Sequence, residues 1–239
     1  MSSLFSSAVV ADTAQKETDS VGGRSLLTTG FYDFNIKMAY AAKAKSGSIF
    51  LSLELVDADG NAHNEKLYYV SKAGKSTYER DGKEYPLMGY SAANAVALFA
   101  TGKGIAEQES ETKVIKLYSH DAGGEVKTEV EAIPEMIGQT IRVGIVQQTV
   151  NKSVLVDGNY ANTNEEKSEC VIEKVIDITS NRTVSETLAE MEEPVYYNKF
   201  MDKLDGKVRN KFKEVANAPV AGAPKGPKSG ASTMFGSKG

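Results

Sequence analysis

From Gly30 to Val70 the chain alternates apolar and polar side chains with a period of two, a pattern that suits half-buried strands and no helix. Phe34, Ile36, Met38 and Tyr40 recur at every second position, separated by Asn35, Lys37 and Ala39. After a short loop holding Lys43, Lys45, Ser46 and Gly47, a second strand shows Ile49, Leu51, Leu53 and Leu55 against Phe50, Ser52 and Glu54. Asp57, Asp59, Gly60 and Asn61 supply a reversal, since Gly and Asn tolerate positive φ. A third strand, Glu65 to Val70, should turn Leu67 and Tyr69 inward and Lys66, Tyr68 and Val70 outward.

The outward set is unusual for a solvated face, because it mixes the cations Lys37 and Lys66 with the rings of Phe50 and Tyr68. Unpaired bases need flat apolar surfaces and phosphates need positive charge, so the mixture suits a nucleic-acid strand. The alternative is that Phe50 and Tyr68 form a cross-strand pair covered by a later segment.

The chain has 239 residues, 41% hydrophobic and 25% charged, enough for one sizeable core with appendages. No run approaches a membrane span and the start lacks signal-peptide order, so a cytosolic protein without membrane contact is expected. The single Cys170 excludes an intramolecular disulfide and reads as a core residue. Net charge is formally −4, yet from Lys203 onward eight basic residues face two acids, leaving −10 for the rest. That asymmetry points to an interaction tail or a solubilising one.

Four regions are expected. Residues 1–25 are a polar, Ser-rich arm. Residues 26–183 form the main domain, 184–215 hold two helices (Ser185 to Glu192 and Val195 to Leu204), and 216–239 are a disordered basic tail rich in Ala, Pro, Gly and Lys. Within the domain, Asp81-Gly82 marks a small hairpin whose arms carry Lys75, Tyr78, Arg80, Lys83 and Tyr85, read either as a strand clamp or as a solvated excursion. Helical spacing runs from Ser91, a candidate cap, to Thr101, with Gly102 as its stop. Val114 to Leu117 and Val126 to Val130 can pair around Gly123-Gly124, and Pro134 to Gly138 makes a turn. Ile141 to Val150 and Cys170 to Ile178 are the last strands, with Asn151 to Ser168 between them as a long polar loop. Mainly β with helical additions (α+β), this order fits a five-stranded OB-type Greek-key barrel with a helix between the third and fourth strands.

Catalytic signatures fail on particular positions. Gly74-Lys75-Ser76 ends like a phosphate-binding loop, but the first glycine is replaced by Tyr69. Asp57, Asp59 and Asn61 begin like a calcium loop, yet the twelfth position is Tyr68. His63 and His120 stand at no metal spacing, so no enzyme activity, metal or cofactor is expected.

The segments Gly30-Phe-Tyr-Asp-Phe-Asn-Ile-Lys-Met-Ala-Tyr40, Ser48-Ile-Phe-Leu-Ser-Leu53, Ile137-Gly138, Ile145-Val-Gln-Gln-Thr-Val150 and Lys174-Val-Ile-Asp177, with the opening Met-Ser-Ser-Leu-Phe, resemble the single-stranded DNA-binding proteins of tailed bacteriophages. The resemblance covers roughly residues 1 to 205. It implies an OB-type fold coating single strands during phage DNA replication and recombination, in the cytoplasm of an infected bacterial host, with phage replication proteins as partners. The chain departs from many such proteins in lacking an acidic C-terminal tail. The residues expected to meet DNA are Lys37, Lys43, Lys45, Phe50, Lys66, Tyr68, Lys72, Lys75, Tyr78, Arg80, Arg142 and Lys152. The competing class is a virion or scaffold-type protein-interaction module that uses the same sheet to meet protein partners.

Overall fold

A computed structural model describes residues 26–119, 122–156, 159–216 and 218–219, so the expected arm at 1–25 and nearly all of the expected tail at 216–239 lie outside the described residues. The described chain is mainly β with few helices. Strands β1 (Gly30–Lys43), β2 (Ile49–Val56) and β3 (Ala62–Val70) form an antiparallel meander, and β4 (Thr77–Arg80) and β5 (Lys83–Pro86) a separate hairpin. Helix α1 (Met88–Thr101) leads to the hairpin β6 (Glu111–Ser119) and β7 (Gly124–Ala132), then to the long strands β8 (Thr140–Val156) and β9 (Asn159–Ile176). Two short helices, α2 (Val184–Leu188) and α3 (Val195–Lys203), precede β10 (Arg209–Asn210).

The large sheet has eight strands, ordered β9-β8-β1-β2-β3, with β7 also pairing β1 and β10 running parallel beside β8. It is not closed, which corrects the expectation of a five-stranded barrel. Where a ladder between β3 and β9 would need a backbone acceptor, the Glu65 carboxylate of β3 takes the Ile172 amide of β9 at 3.3 Å. Helix α1 packs on β3 and β9 both, with Ala93, Val96 and Ala97 fully buried. Its start is pressed against β3: a Cβ at Gly89 would lie 2.0 Å from the Tyr68 carbonyl oxygen, so only glycine fits. The helix begins one turn earlier than its spacing predicts, with Leu87 rather than Ser91 at the cap, and stops at Gly102 (φ 76°) as expected.

One extra residue decides which side chains share a face. The β1–β2 ladder slips between Ile36 and Met38, leaving Lys37 as a bulge. Phe34 and Ile36 therefore enter the main core with Leu51, Leu53 and Leu55, whereas Met38 and Tyr40 are turned to the opposite face. There they meet Phe50, with Val130, Ile115 and Leu117 of the β6–β7 hairpin laid over them as a second, smaller core. Further along the same face, α3 docks Phe200 and Tyr197 on Phe31, at ring-centroid distances of 4.5 and 4.9 Å. The expected α3 is thus present as a docking element, and α2 is shorter than expected, capped by Thr183 in a capping box with Glu186.

The expected loop at 151–168 is strand at residues 151–156 and 159–168. Here β8 and β9 continue as a two-stranded ribbon beyond the core, held by Ser153 to Asn162 (2.8 Å), Lys152 to Glu165 (2.9 Å) and Thr163 Oγ1 donating to the Lys152 carbonyl. A ribbon with no core beneath it needs no apolar alternation, which is why the sequence conceals it. After α3 the chain is an extended strap rather than helix. Lys211 N donates to the Thr149 carbonyl, and the amides of Asn151 and Asn164 each donate to and accept from the strap backbone at Lys213 and Val215.

Candidate nucleic-acid interface

With α3 and the β6–β7 hairpin covering much of the sheet's outer face, the part of that face bearing exposed cations and an aromatic ring is β3. Tyr68 pairs across to Phe50 and is 47% exposed, whereas Phe50 is 8% exposed. Their rings lie 5.4 Å apart and tilted, and the Lys66 ammonium sits 5.0 Å over the Phe50 ring. Phe50 is therefore corrected from a base-stacking residue to the buried support of two that reach solvent, because the hairpin fills the space a base would need. The alternative of a covered cross-strand pair holds for Phe50 alone, since Tyr68 remains exposed.

The register places more cations at the end of the sheet beyond Tyr68, with Lys43 on the main-core side of β1. Lys43 stands opposite Ile49, and Ile49 opposite Val70, so the β1–β2 turn carrying Lys45 and the Ser71–Lys75 turn after β3 lie at one end of the sheet. Lys43, Lys72 and Lys75 are exposed and make no ion pair among the described residues. Below them a cleft of about 370 Å³ is lined by Lys43, Ile49, Tyr69, Gln108, Ser110 and Glu131. Burial raises the Tyr69 phenol above its ordinary value, so it stays a neutral donor at physiological pH.

From this end springs the β4–β5 hairpin, closed by Asp81 (φ 53°) and Gly82 (φ 70°) as the Asp-Gly pair predicts. Tyr78 and Tyr85 stack across it at 5.8 Å with planes inclined 30°, 44% and 40% exposed. The sequence places Tyr78, Arg80, Lys83 and Tyr85 on the arms of this hairpin, with only Tyr78 and Arg80 among the expected DNA contacts. The two-residue turn, which sets the register, is the signal that finds Lys83 and Tyr85 as their partners.

Three expected contacts lie elsewhere. Lys37 is the exposed bulge, six residues along β1 from Lys43, roughly 20 Å away. Arg142 is spoken for: its guanidinium donates to both Asp33 carboxylate oxygens at 2.6 Å and to Asn181 Oδ1 at 2.7 Å. The bonds to Asp33 raise its pKa further, and together with the Asn181 bond they spend its phosphate-binding fork on joining β1 and β8 to the loop after β9. Lys152 is paired with Glu165 on the ribbon. Of the twelve residues, Lys66 and Tyr68 stand on β3 with Lys43, Lys45, Lys72 and Lys75 at the adjoining end of the sheet, Tyr78 and Arg80 stand on the separate hairpin that follows, and Lys37, Phe50, Arg142 and Lys152 do not join them.

Other features read as structural. Asp57 accepts from the amides of Asp59 and Asn61 and from the Asn61 side chain. Burial pushes its pKa up, but those bonds outweigh it and hold it low, so the would-be calcium loop is a self-satisfied turn. Cys170 packs against the core and donates to the Leu27 carbonyl, with burial raising its thiol pKa. Among the described residues, no group of three His, Cys, Asp or Glu could hold a metal ion, and no helix is long and apolar enough to cross a membrane. No protein-family model matches this chain, and no curated protein matches its sequence.

Proposed function

We propose that this protein binds single-stranded DNA without sequence preference and does no covalent chemistry of its own. The observation that carries the reading is the exposed ring of Tyr68 with Lys66 beside it on β3 and, in the turn that follows β3, Lys72 and Lys75, which make no ion pair among the described residues. Lysines without acidic partners keep their charge available for phosphates, and a ring backed by a second buried ring offers a rigid platform for a base. The acidic total does not oppose this, because short-range phosphate contacts are screened from distant charge over about 8 Å. The connectivity supports the same reading: β1, β2, β3, β8 and β9 with α1 between β3 and β8 follow the chain order of an OB-type Greek key, opened here between β3 and β9. The resemblance of the strand segments to phage single-stranded DNA-binding proteins supports a role in phage DNA replication and recombination, within the infected bacterial cytoplasm.

The test is fluorescence anisotropy with a labelled oligothymidylate across a salt series. Affinity should fall with log salt at a slope of about −0.7 per phosphate neutralised. A flat response or no binding sinks the proposal. One observation favours a protein-interaction role instead: the ribbon tip pairs Leu155 with Tyr160, 63% and 81% exposed, an apolar pair far from any core. Binding that is unaffected by salt and by Tyr68→Ala, together with loss of a protein contact on Leu155→Ser, would select that reading.

A further inference from the structure

The β4–β5 hairpin sorts its side chains by chemistry in a way its own stability does not ask for. Alternation puts Tyr78 and Arg80 on one face, and the pairings with Tyr85 and Lys83 set a like residue beside each. The other face carries Thr77, Glu79, Glu84 and Pro86, with Glu79 opposite Glu84. Both charged cross-strand pairs thus oppose like charges, which costs stability. A two-stranded hairpin has little stability to spare. Exchanging the residues at positions 83 and 84 would make both pairs attractive at unchanged composition, so the segregation calls for another cause.

We propose that the face formed by Tyr78, Tyr85, Arg80 and Lys83 is a nucleotide clamp, in which a base stacks on the tyrosine pair and a backbone phosphate lies between the two cations. This rests on the reading of the chain as a single-strand binder and adds to it a contact site outside the large sheet. The two side-chain pairs are two residues apart along the strand, about 6.6 Å, on the scale of one extended nucleotide. The stacked rings are exposed, and the hairpin is closed at its base by Leu87 N donating to the Ser76 carbonyl. The acid beside the cations is Asp81, 3.5 Å from Arg80 Nε, and both side chains are at least three-quarters exposed, so a phosphate can displace it. A phosphate between Arg80 and Lys83 also removes their repulsion, so binding should stiffen the hairpin.

The experiment uses the full chain, a labelled oligothymidylate and a salt series, with amide hydrogen exchange over residues 77–86. Y78A/Y85A should bind about tenfold more weakly, the effect of one lost stack, while Y78F/Y85F binds as wild type does. R80Q/K83Q should bind more weakly with a salt slope shallower by about 0.7, one phosphate's worth, and its free hairpin should be protected as well as wild type or better. That opposition separates a lost contact from a melted hairpin. DNA should slow exchange across 77–86 in the wild type. Wild-type affinity in either Y78A/Y85A or R80Q/K83Q overturns the clamp, and if Tyr68→Ala still weakens binding, the single-strand reading survives it. Absence of salt-dependent binding by the wild type removes both.

Discussion

Replacing Gly89 by alanine adds one methyl group to the first turn of α1, and two physical effects of opposite sign compete. Helix propensity favours the change by about 0.5 to 1 kcal/mol, because alanine loses less backbone entropy than glycine. Against it, the new Cβ would stand 2.0 Å from the Tyr68 carbonyl oxygen, 2.7 Å from its carbon and 2.9 Å from its nitrogen. All three are backbone atoms of β3, so no side chain can swing aside. To reach the 3.4 Å at which such contacts become ordinary, helix and strand must part by about 1.4 Å. That separation loosens Val96, Ala93 and Ala97, which are fully buried in the core α1 shares with Leu67 of β3. Overpacking of this kind costs about 1 to 3 kcal/mol, and a clash with backbone belongs at the upper end. Net destabilisation should be about 2 kcal/mol, which for a chain of this size lowers Tm by about 4 to 8 °C. Circular-dichroism melting and urea titration measure it, and an unchanged m-value would show that the unfolded reference is unaltered. A Tm equal to or above wild type would mean that helix propensity had won, and would refute the claim that α1 is wedged against β3.

Two further substitutions probe the rest of the architecture. Phe50→Ala should lower stability by about 3 kcal/mol, the cost of emptying an aromatic site in a core, whereas Tyr68→Ala should cost under 1 kcal/mol in stability and about 1 to 3 kcal/mol in oligonucleotide affinity; comparable melting temperatures for the two variants would contradict the assignment of support and platform. Glu186 is buried and accepts from Thr183 N, Thr183 Oγ1 and Tyr196 N, tying α2 to α3. Burial pushes its pKa up, but these bonds and Lys174 outweigh it and lower it in the folded state, so its contribution is present above the unfolded value of about 4.3 and is lost as pH falls through the folded pKa. Glu186→Gln should therefore be less stable than wild type at pH 7, by about 1 to 3 kcal/mol, with the gap closing as pH drops toward 3; a gap constant with pH would rule this out.

Tyr196 links these regions: its ring lies 6.4 Å from Phe200 and takes the Lys174 ammonium at 5.5 Å. Burial, with Glu173 beside it, pushes its phenol up to about 12, so the seat of α3 keeps its charge pattern through the physiological range.

The strands, the Asp-Gly hairpin, the stop at Gly102 and the docking stripe of α3 were legible in the residues because each depends on interactions within a few positions: alternation, a turn that needs positive φ, a spacing of three and four. Pairing partners of Tyr78 and Arg80 follow from the same local chemistry once the turn is seen. What lies over a face is not local. Alternation shows that Phe50 points away from Leu51 and Leu53, but only the β6–β7 hairpin, some sixty residues later, decides that this side is a second core. A single bulge at Lys37 moved Met38 and Tyr40 across the sheet, because a period of two turns any one-residue slip into a change of face. Arg142 and Lys152 look free in sequence and are paired in space, since their carboxylate partners come from Asp33 and Glu165, residues brought beside them only by pairing of strands. The ribbon and the strap escaped for the converse reason: their strands are held by side-chain amides and hydroxyls along an exposed edge, where no burial imposes a hydrophobic pattern. The amino-acid order determined which stretches could be strands and where they reverse, while the tertiary packing determined which of their outward side chains still meet solvent, because exposure depends on every element that folds back over a face.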